Sequence, residues 1–379
     1  MVLQQQQAPL FDAVRAYAQL VRAPMHVPGH KLGRASPGPW REFVGDAALS
    51  IDLTEAPGLD DLHAPDGVIA EAQALAAQAF GAGRSFFLVG GTTAGLHALI
   101  LTACQPCSTV AVPRHAHRSV LGALILAGAN PAWVRVKFHE ELDIATNLDE
   151  SSLRQALPGA AAALLVHPTY YGVASRLTRE IALVHEHGLP VLVDEAHGAH
   201  FAFHPALPPS SLSLGADGVV QSIHKTGGSL TQSSMCHLGA NSRLDEQRLR
   251  AMLRLVQSTS PSYLLMASLD AARRDLALHG QERWEQAIHL AHQTRRRLES
   301  LPGVRVYPSD DPTKLVIDLR GRGLTGFAAA ELLWEQGVAV ESAGLGYVLA
   351  VMTPGDSPTT ADALVGAVAA LPAGPGAPP

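Results

Sequence analysis

The sequence predicts an α/β protein: a mainly parallel sheet with helices on both faces, followed by a smaller α+β carboxyl-terminal domain. Three observations carry this expectation. Short apolar segments, "SFFLV", "STVAV", "AAALLVH", "PVLVD" and "DGVVQSI", recur between residues 85 and 223. Helical stretches such as "GLHALILTA" and "RSVLGALILAG" separate several of them, the alternation of a covered parallel sheet. Beyond a strongly helical stretch, 243–300, the shorter segments "VRVYP", "KLVIDL", "VAVES" and "YVLAVM" occur with one helix, "GFAAAELLWEQG", among them.

Taken in order, residues 1–50 read as an amino-terminal arm, with a short helix in "LFDAVRAYAQLVR" and the turn-rich "APMHVPGHKLGRASPGPW". Residues 51–275 form the large domain, opened by the Ala-rich helix "GVIAEAQALAAQAFG". Residues 276–372 form the small domain, and the tail 373–379 is expected to be disordered. Hydrophobic residues make up 47% and charged residues 16% of the 379, a globular balance. The formal charge of −6 speaks against a nucleic-acid partner. No apolar run is long enough for a membrane span, and "MVLQQQQAPL" lacks the basic start and apolar core of a signal peptide. Three cysteines point to a reducing compartment, so a cytoplasmic protein is expected. "CQPC" (Cys104 to Cys107) has no second pair to make a zinc site, and reads as small buried cysteines at a helix end.

Ligands of open α/β sheets bind beyond the carboxyl ends of the strands. After "SFFLV" comes "GGTTAGLHAL", where glycines turn the backbone and Thr92 and Thr93 bring hydroxyls to a helix start, a cup for phosphate. After "STVAV" comes "PRHAHRS", with His115 and His117; after "PVLV" comes "DEAHGAH", with Asp194 at the strand end. Lys225 follows "DGVVQSI", and no other lysine stands at a plausible strand end. One cofactor asks for all of these. Pyridoxal phosphate needs a lysine for its Schiff base, a carboxylate for its ring nitrogen, a phosphate cup and a flat group on the ring face. Lys225, Asp194, Thr92 with Thr93, and His117 would fill those roles.

The motifs "PMHVPGHKLG", "DLTEAPGLDDLHAPDGVIAEAQ", "FLVGGTTAG", "PRHAHRSV", "HPTYYG", "VLVDEAHGAH", "SIHKTGGSLTQSS" and "QSTSPSYLLMASLD" span residues from about 24 to about 355. In them the chain resembles the pyridoxal-phosphate decarboxylases of ornithine, lysine and arginine, which have the aspartate aminotransferase type of fold. The resemblance implies that Lys225 holds the cofactor, Asp194 faces its nitrogen and His117 stacks on its ring. It further implies that Gly91, Thr92, Thr93, Ser222 and His224 lie near the phosphate and His197 beside the cofactor. The segment with Ser260 and Ser262 resembles one that supports a site shared across a homodimer. Two departures from the family pattern are read: Gly90 occupies a position where many relatives have Asn, and the chain is expected to be a short form without the extra carboxyl-terminal domain of the longer members.

The expected reaction is decarboxylation of a basic amino acid. An aminotransferase is the alternative within the fold, but such enzymes usually clamp the substrate carboxylate with a small-domain arginine, and no Lys or Arg follows Arg322. A metal hydrolase built on His197, His200 and His204 leaves Lys225 and the Gly-Thr-Thr turn without a role, so no metal is expected. A non-catalytic regulatory homologue would need neither Lys225 nor Asp194. Two segments free of Lys and Arg, 42–83 and 323–379, carry acids that could line an entrance for a cation; Glu341 is the candidate partner for a substrate's distal charge.

Overall fold

Helices α1 (Pro9–Leu20), α2 (Gly38–Val44), α3 (Asp46–Ser50) and α4 (Val68–Phe80) precede the sheet in a computed structural model that describes residues 4–174 and 176–372. There follow β1 (Arg84–Leu88), α5 (Gly91–Ala103), β2 (Thr109–Pro113), α6 (Arg118–Ala127), β3 (Asn130–Val134), β4 (Val136–His139), β5 (Ile144–Leu148) and α7 (Glu150–Ala156). Next come β6 (Ala160–Val166), α8 (Leu177–Glu186), β7 (Val191–Asp194), β8 (Gly218–Gln221), α9 (Ile223–Thr226), β9 (Ser234–Leu238), α10 (Glu246–Val256) and α11 (Tyr263–Glu299). Last are β10 (Arg305–Val306), β11 (Lys314–Asp318), α12 (Gly326–Glu335), β12 (Ser342–Ala343), β13 (Tyr347–Val351) and α13 (Pro358–Ala370). The expected disorder of the tail, 373–379, falls outside the described residues.

Seven strands form the large sheet in the order β1-β9-β8-β7-β6-β2-β3. Strands β3, β2, β6, β7 and β8 run parallel, and β9 pairs antiparallel with both β8 and β1. Because side chains alternate along a strand, successive residues feed two different cores. Val110, Val112, Leu164, Leu192 and Val220 face α5, α6 and α10, while Ala111, Leu165, Val191, Val193 and Val219 face the side of α1, α4 and α11. Each such Val or Leu contributes about 1.5–3 kcal/mol on leaving water, so register slips are strongly disfavoured. Gly95 lets α5 sit close on the sheet, since a Cβ there would stand 2.7 Å from Leu88 Cδ1 and Val220 Cγ1.

Helix α1 is docked rather than loose. The buried carboxylate of Asp270 accepts N–H bonds from Leu10 and Phe11 at 3.0 and 3.3 Å, and Arg273 pairs with that carboxylate at 2.6 Å. These bonds satisfy helix-start donors that would otherwise be buried without partners. The small sheet is antiparallel in the order β10-β11-β13-β12, with α12 and α13 closing its core. Helix α11 places Tyr263, Met266 and Trp284 in the large core and Ala291 and Leu298 in the small one. A division at 275/276 therefore falls inside one unbroken helix.

Several local expectations are corrected. "VAVES" is strand only from Ser342, and β3, the β4–β5 hairpin, β9 and α13 are additional elements. Cys104 and Cys236 are buried, but Cys107 is exposed, in a turn with φ 67° that lies past the end of α5.

Candidate active site

The parallel strands deliver their carboxyl ends to one edge of the sheet, and there a cavity of about 490 Å³ opens, within the size range of small-molecule sites. Thr92, His117, Asp194, His197 and Lys225 all line it. So do Arg114, His115, Thr169, Tyr170 and Tyr171, none of which was assigned a role from the sequence. Lys225 lies in α9, the single helical turn that follows β8.

Asp194 ends β7 and is buried, with Oδ1 accepting the Ala196 N–H at 3.1 Å. Burial pushes its carboxyl up, partly opposed by Lys225 and His117. Burial also lowers the Lys225 amine, against the pull of Asp194 and Glu341. Its Nζ stands 2.9 Å from His197 Nε2. His117 caps α6, with Nδ1 accepting the Ser119 N–H, which leaves its ring at the cavity mouth.

At the start of α5, Gly91 has φ 69°, a left-handed conformation open to glycine, and its N–H is committed to the Gln232 carbonyl at 2.9 Å. The hydroxyls of Thr92 and Ser222 meet at 3.2 Å, while Thr93 is exposed beside them. His224 is tied through Nδ1 to the Ser233 carbonyl at 2.8 Å, and it lines a neighbouring cavity that shares Lys225 with the first. Ser262 caps α11 and Ser260 is exposed; within one chain neither lines the cavity.

Lys314 is the principal residue that sequence reasoning missed, a second lysine near the site at the start of a strand and not beyond the end of one. It opens β11, is 1% exposed, and holds His197 Nδ1 at 3.1 Å. Glu341 accepts the Tyr170 hydroxyl, and Tyr170 meets His197 edge-on at 4.9 Å between ring centroids. Most of the other acids expected to line an entrance are engaged elsewhere. Asp60 accepts five backbone N–H groups around the start of α4, Asp46 pairs with Arg41, and Asp52 lies 3.3 Å from His30. The three histidines of "HGAHFAFH" diverge: His197 joins the lysines, His200 stacks on Trp284, and His204 bonds Glu285 at 2.7 Å.

Pyridoxal phosphate fits this donor set. A buried carboxylate, a primary amine, paired hydroxyls at a helix start and an imidazole at the mouth converge on one cavity. Fold and site thus define the class, an aminotransferase-like α/β protein equipped for pyridoxal phosphate. The family described as Orn/Lys/Arg decarboxylase, major domain, matches residues 8–313, and the chain belongs to it. It is 40% identical over 380 residues to an arginine decarboxylase of Bacillus subtilis, covering 97% of this chain and 77% of that one. Lysine decarboxylase LdcA of Pseudomonas aeruginosa is 28% identical over 300 residues, 70% of this chain and 39% of that one. The solved structure of lysine decarboxylase A from Pseudomonas aeruginosa superposes with a TM-score of 0.84 at 23% identity, over 96% of this chain and 59% of that one. The chain thus spans less than two thirds of that solved structure. A serine palmitoyltransferase structure with PLP shares the fold at a TM-score of 0.62 and 18% identity.

Proposed function

We propose that the protein decarboxylates a basic amino acid, ornithine, lysine or arginine, to the corresponding amine and carbon dioxide. The observation that carries this reading is the pairing of Lys225 and Asp194 on one cavity whose lining residue Tyr170 bonds a carboxylate, Glu341, from a neighbouring cavity. When bound, pyridoxal phosphate supplies the electron sink into which the Cα–carboxylate bond can break. Lys225 anchors it through Nζ, and the Asp194 carboxylate holds a proton on the ring nitrogen. Thr92, Ser222 and the start of α5 take the phosphate, and His117 covers one ring face. Glu341 binds the distal cation of the substrate.

A decarboxylase has reason to leave the α-carboxylate unclamped, because its charge must flow away in the transition state. Three arginines of the small sheet and its connections are committed elsewhere: Arg305 and Arg320 bond Asp318 and Glu141, and Arg322 bonds the Leu371 carbonyl. Among the residues lining the cavity the single arginine is Arg114, which lies over the Trp133 ring. This supports decarboxylation over amino transfer. The segment with Ser260 and Ser262 is assigned to a homodimer interface that completes the partner's site, and three free cysteines suit a cytoplasmic setting.

The test is to incubate the purified protein and pyridoxal phosphate with arginine, lysine and ornithine, and to identify the products. Arginine comes first because relatives of about 40% identity are named arginine decarboxylases. Release of an amine with carbon dioxide supports the reading; formation of a keto acid in its place overturns it.

A further inference from the structure

The chain contains four lysines, Lys31, Lys137, Lys225 and Lys314, against 24 arginines. Arginine keeps its charge at any accessible pH, whereas a buried lysine can give up its proton. Two of the four lysines flank a single imidazole. Lys225 Nζ lies 2.9 Å from His197 Nε2, and Lys314 Nζ lies 3.1 Å from His197 Nδ1.

Hydrogen-bond matching limits how this chain can be charged. An ammonium group only donates, and a neutral imidazole has one donating and one accepting nitrogen. Two ammonium groups would leave a ring N–H facing a donor. An imidazolium would put three like charges in contact, and burial, then the two lysines, hold His197 well below its ordinary value. With the imidazole neutral and one positive charge kept beside the carboxylates of Asp311 and Glu341, the arrangement that satisfies every group is one ammonium, one neutral imidazole and one neutral amine. It has two forms. In the first, the Lys225 ammonium donates to Nε2 and Nδ1–H donates to the Lys314 amine. In the second, the Lys314 ammonium donates to Nδ1 and Nε2–H donates to the Lys225 amine. Passing from first to second moves one proton from Lys225 Nζ to His197 Nε2 and another from His197 Nδ1 to Lys314 Nζ. No other base is required.

Burial is the largest influence on Lys314 and disfavours its charge; wholly buried Asp311 and then Glu341 attract that charge, and Lys225 repels it. Asp311 in turn accepts from Thr313 and lies 3.2 Å from His200 Nε2. Gly172 makes room for the lysine stem: a Cβ there would stand 2.8 Å from Cβ and Cγ of Lys314. Burial brings the amine down to about 8, where it can both take and release a proton near neutral pH.

We infer that Lys314, acting through His197, is the internal proton acceptor that frees the Lys225 amine to capture the cofactor. Lys314 is thus a positioning residue for one proton, and the inference rests on Lys225 being the cofactor's anchor. Two measurements test it. In the wild-type protein freed of cofactor and labelled with ¹⁵N-lysine, three ammonium groups and one neutral amine are expected at pH 8; four ammonium groups overturn the relay. In stopped-flow mixing with pyridoxal phosphate, Lys314→Met and Lys314→Arg should both capture the cofactor at least tenfold more slowly than wild type at pH 7, converging with it near pH 10. Arginine keeps the charge but cannot accept a proton, so Lys314→Arg matching wild type would reduce Lys314 to a fixed charge and overturn the relay, as would a Lys314→Met variant that matches wild type. A variant that fails to fold leaves the wild-type measurement to decide. Borohydride trapping in wild type separately checks the anchor: a label away from Lys225 refutes that reading, whatever the lysine spectrum shows.

Discussion

The carboxylate of Glu341 accepts the hydroxyl of Tyr170 at 2.6 Å, linking the segment before β12 to the loop after β6. Burial, reinforced by Glu341, pushes the Tyr170 phenol up, so it remains a donor to Glu341 through the physiological range. The pair holds a carboxylate close enough to the cavity for both Lys225 and Lys314 to sense it. A charge-assisted hydrogen bond to a substrate cation contributes about 1.5–3 kcal/mol. Glu341→Gln should therefore raise KM for the basic amino acid about 10- to 100-fold. Norleucine, which has no distal charge, should be a poor substrate of both proteins. Equal turnover of norleucine and the basic amino acids by wild type would remove Glu341 from substrate recognition.

Lys225→Ala should lose the visible absorbance of bound pyridoxal phosphate and its trapping by borohydride, with turnover falling to background. Lys314 makes this a sharper experiment than the sequence suggested, because a second amine lies on the far side of His197. Peptide mapping after borohydride treatment distinguishes them. Label on Lys314 in the wild-type protein would move the anchor there.

Asp194→Asn should keep the cofactor, which Lys225 and the hydroxyls still hold, but slow the reaction. A neutral amide cannot stabilise the protonated ring nitrogen, and losing such a fixed electrostatic partner costs about 10²–10³-fold in kcat. Near-normal kcat with normal cofactor content would leave Asp194 as a structural residue that bonds the Ala196 N–H and nothing more.

Much of this site was legible because its chemistry sits where strands end. Asp194, His117 and Thr92 each follow an apolar run, and a parallel sheet must gather such residues on one edge. Tyr170 was in view within "HPTYYG", but its partner was not, since Glu341 lies 171 residues away on the small domain. Lys314 escaped for a different reason. In "DPTKLVIDL" a lysine at a strand start reads as a solvated surface residue, and only the docking of β11 against Gly172 and His197 buries it. Strand β9, "SMCHL", was missed because buried polar residues mask its pattern: His237 is wholly buried, with Nδ1 bonded to Ser85 Oγ at 2.7 Å. Strand β3 carries Asn130 and Pro131 at its start, which read as a turn. The pairing of β3 at the sheet edge overrides that local signal.

Glu195, next to Asp194, offers a test of the buried polar layer beneath the site. It is wholly buried and accepts the Ser211 N–H at 3.0 Å, the Ser211 hydroxyl at 2.6 Å and the Gln221 amide at 3.1 Å. Burial outweighs these bonds and pushes the carboxyl from 4.5 up to about 7. A carboxyl that binds its proton more tightly when folded favours the folded state below the unfolded value, and that contribution is lost as pH rises through the folded one. Stability should thus fall by about 2–3 kcal/mol between pH 5 and pH 8 from this group alone, at about 1.4 kcal/mol per unit. Glu195→Gln has no proton to lose, so urea unfolding of wild type and variant across that range should diverge by this amount, wild type showing the steeper decline. Parallel pH profiles for the two proteins would mean that the three donors keep Glu195 ionised, and that Ser211 and Gln221 outweigh burial.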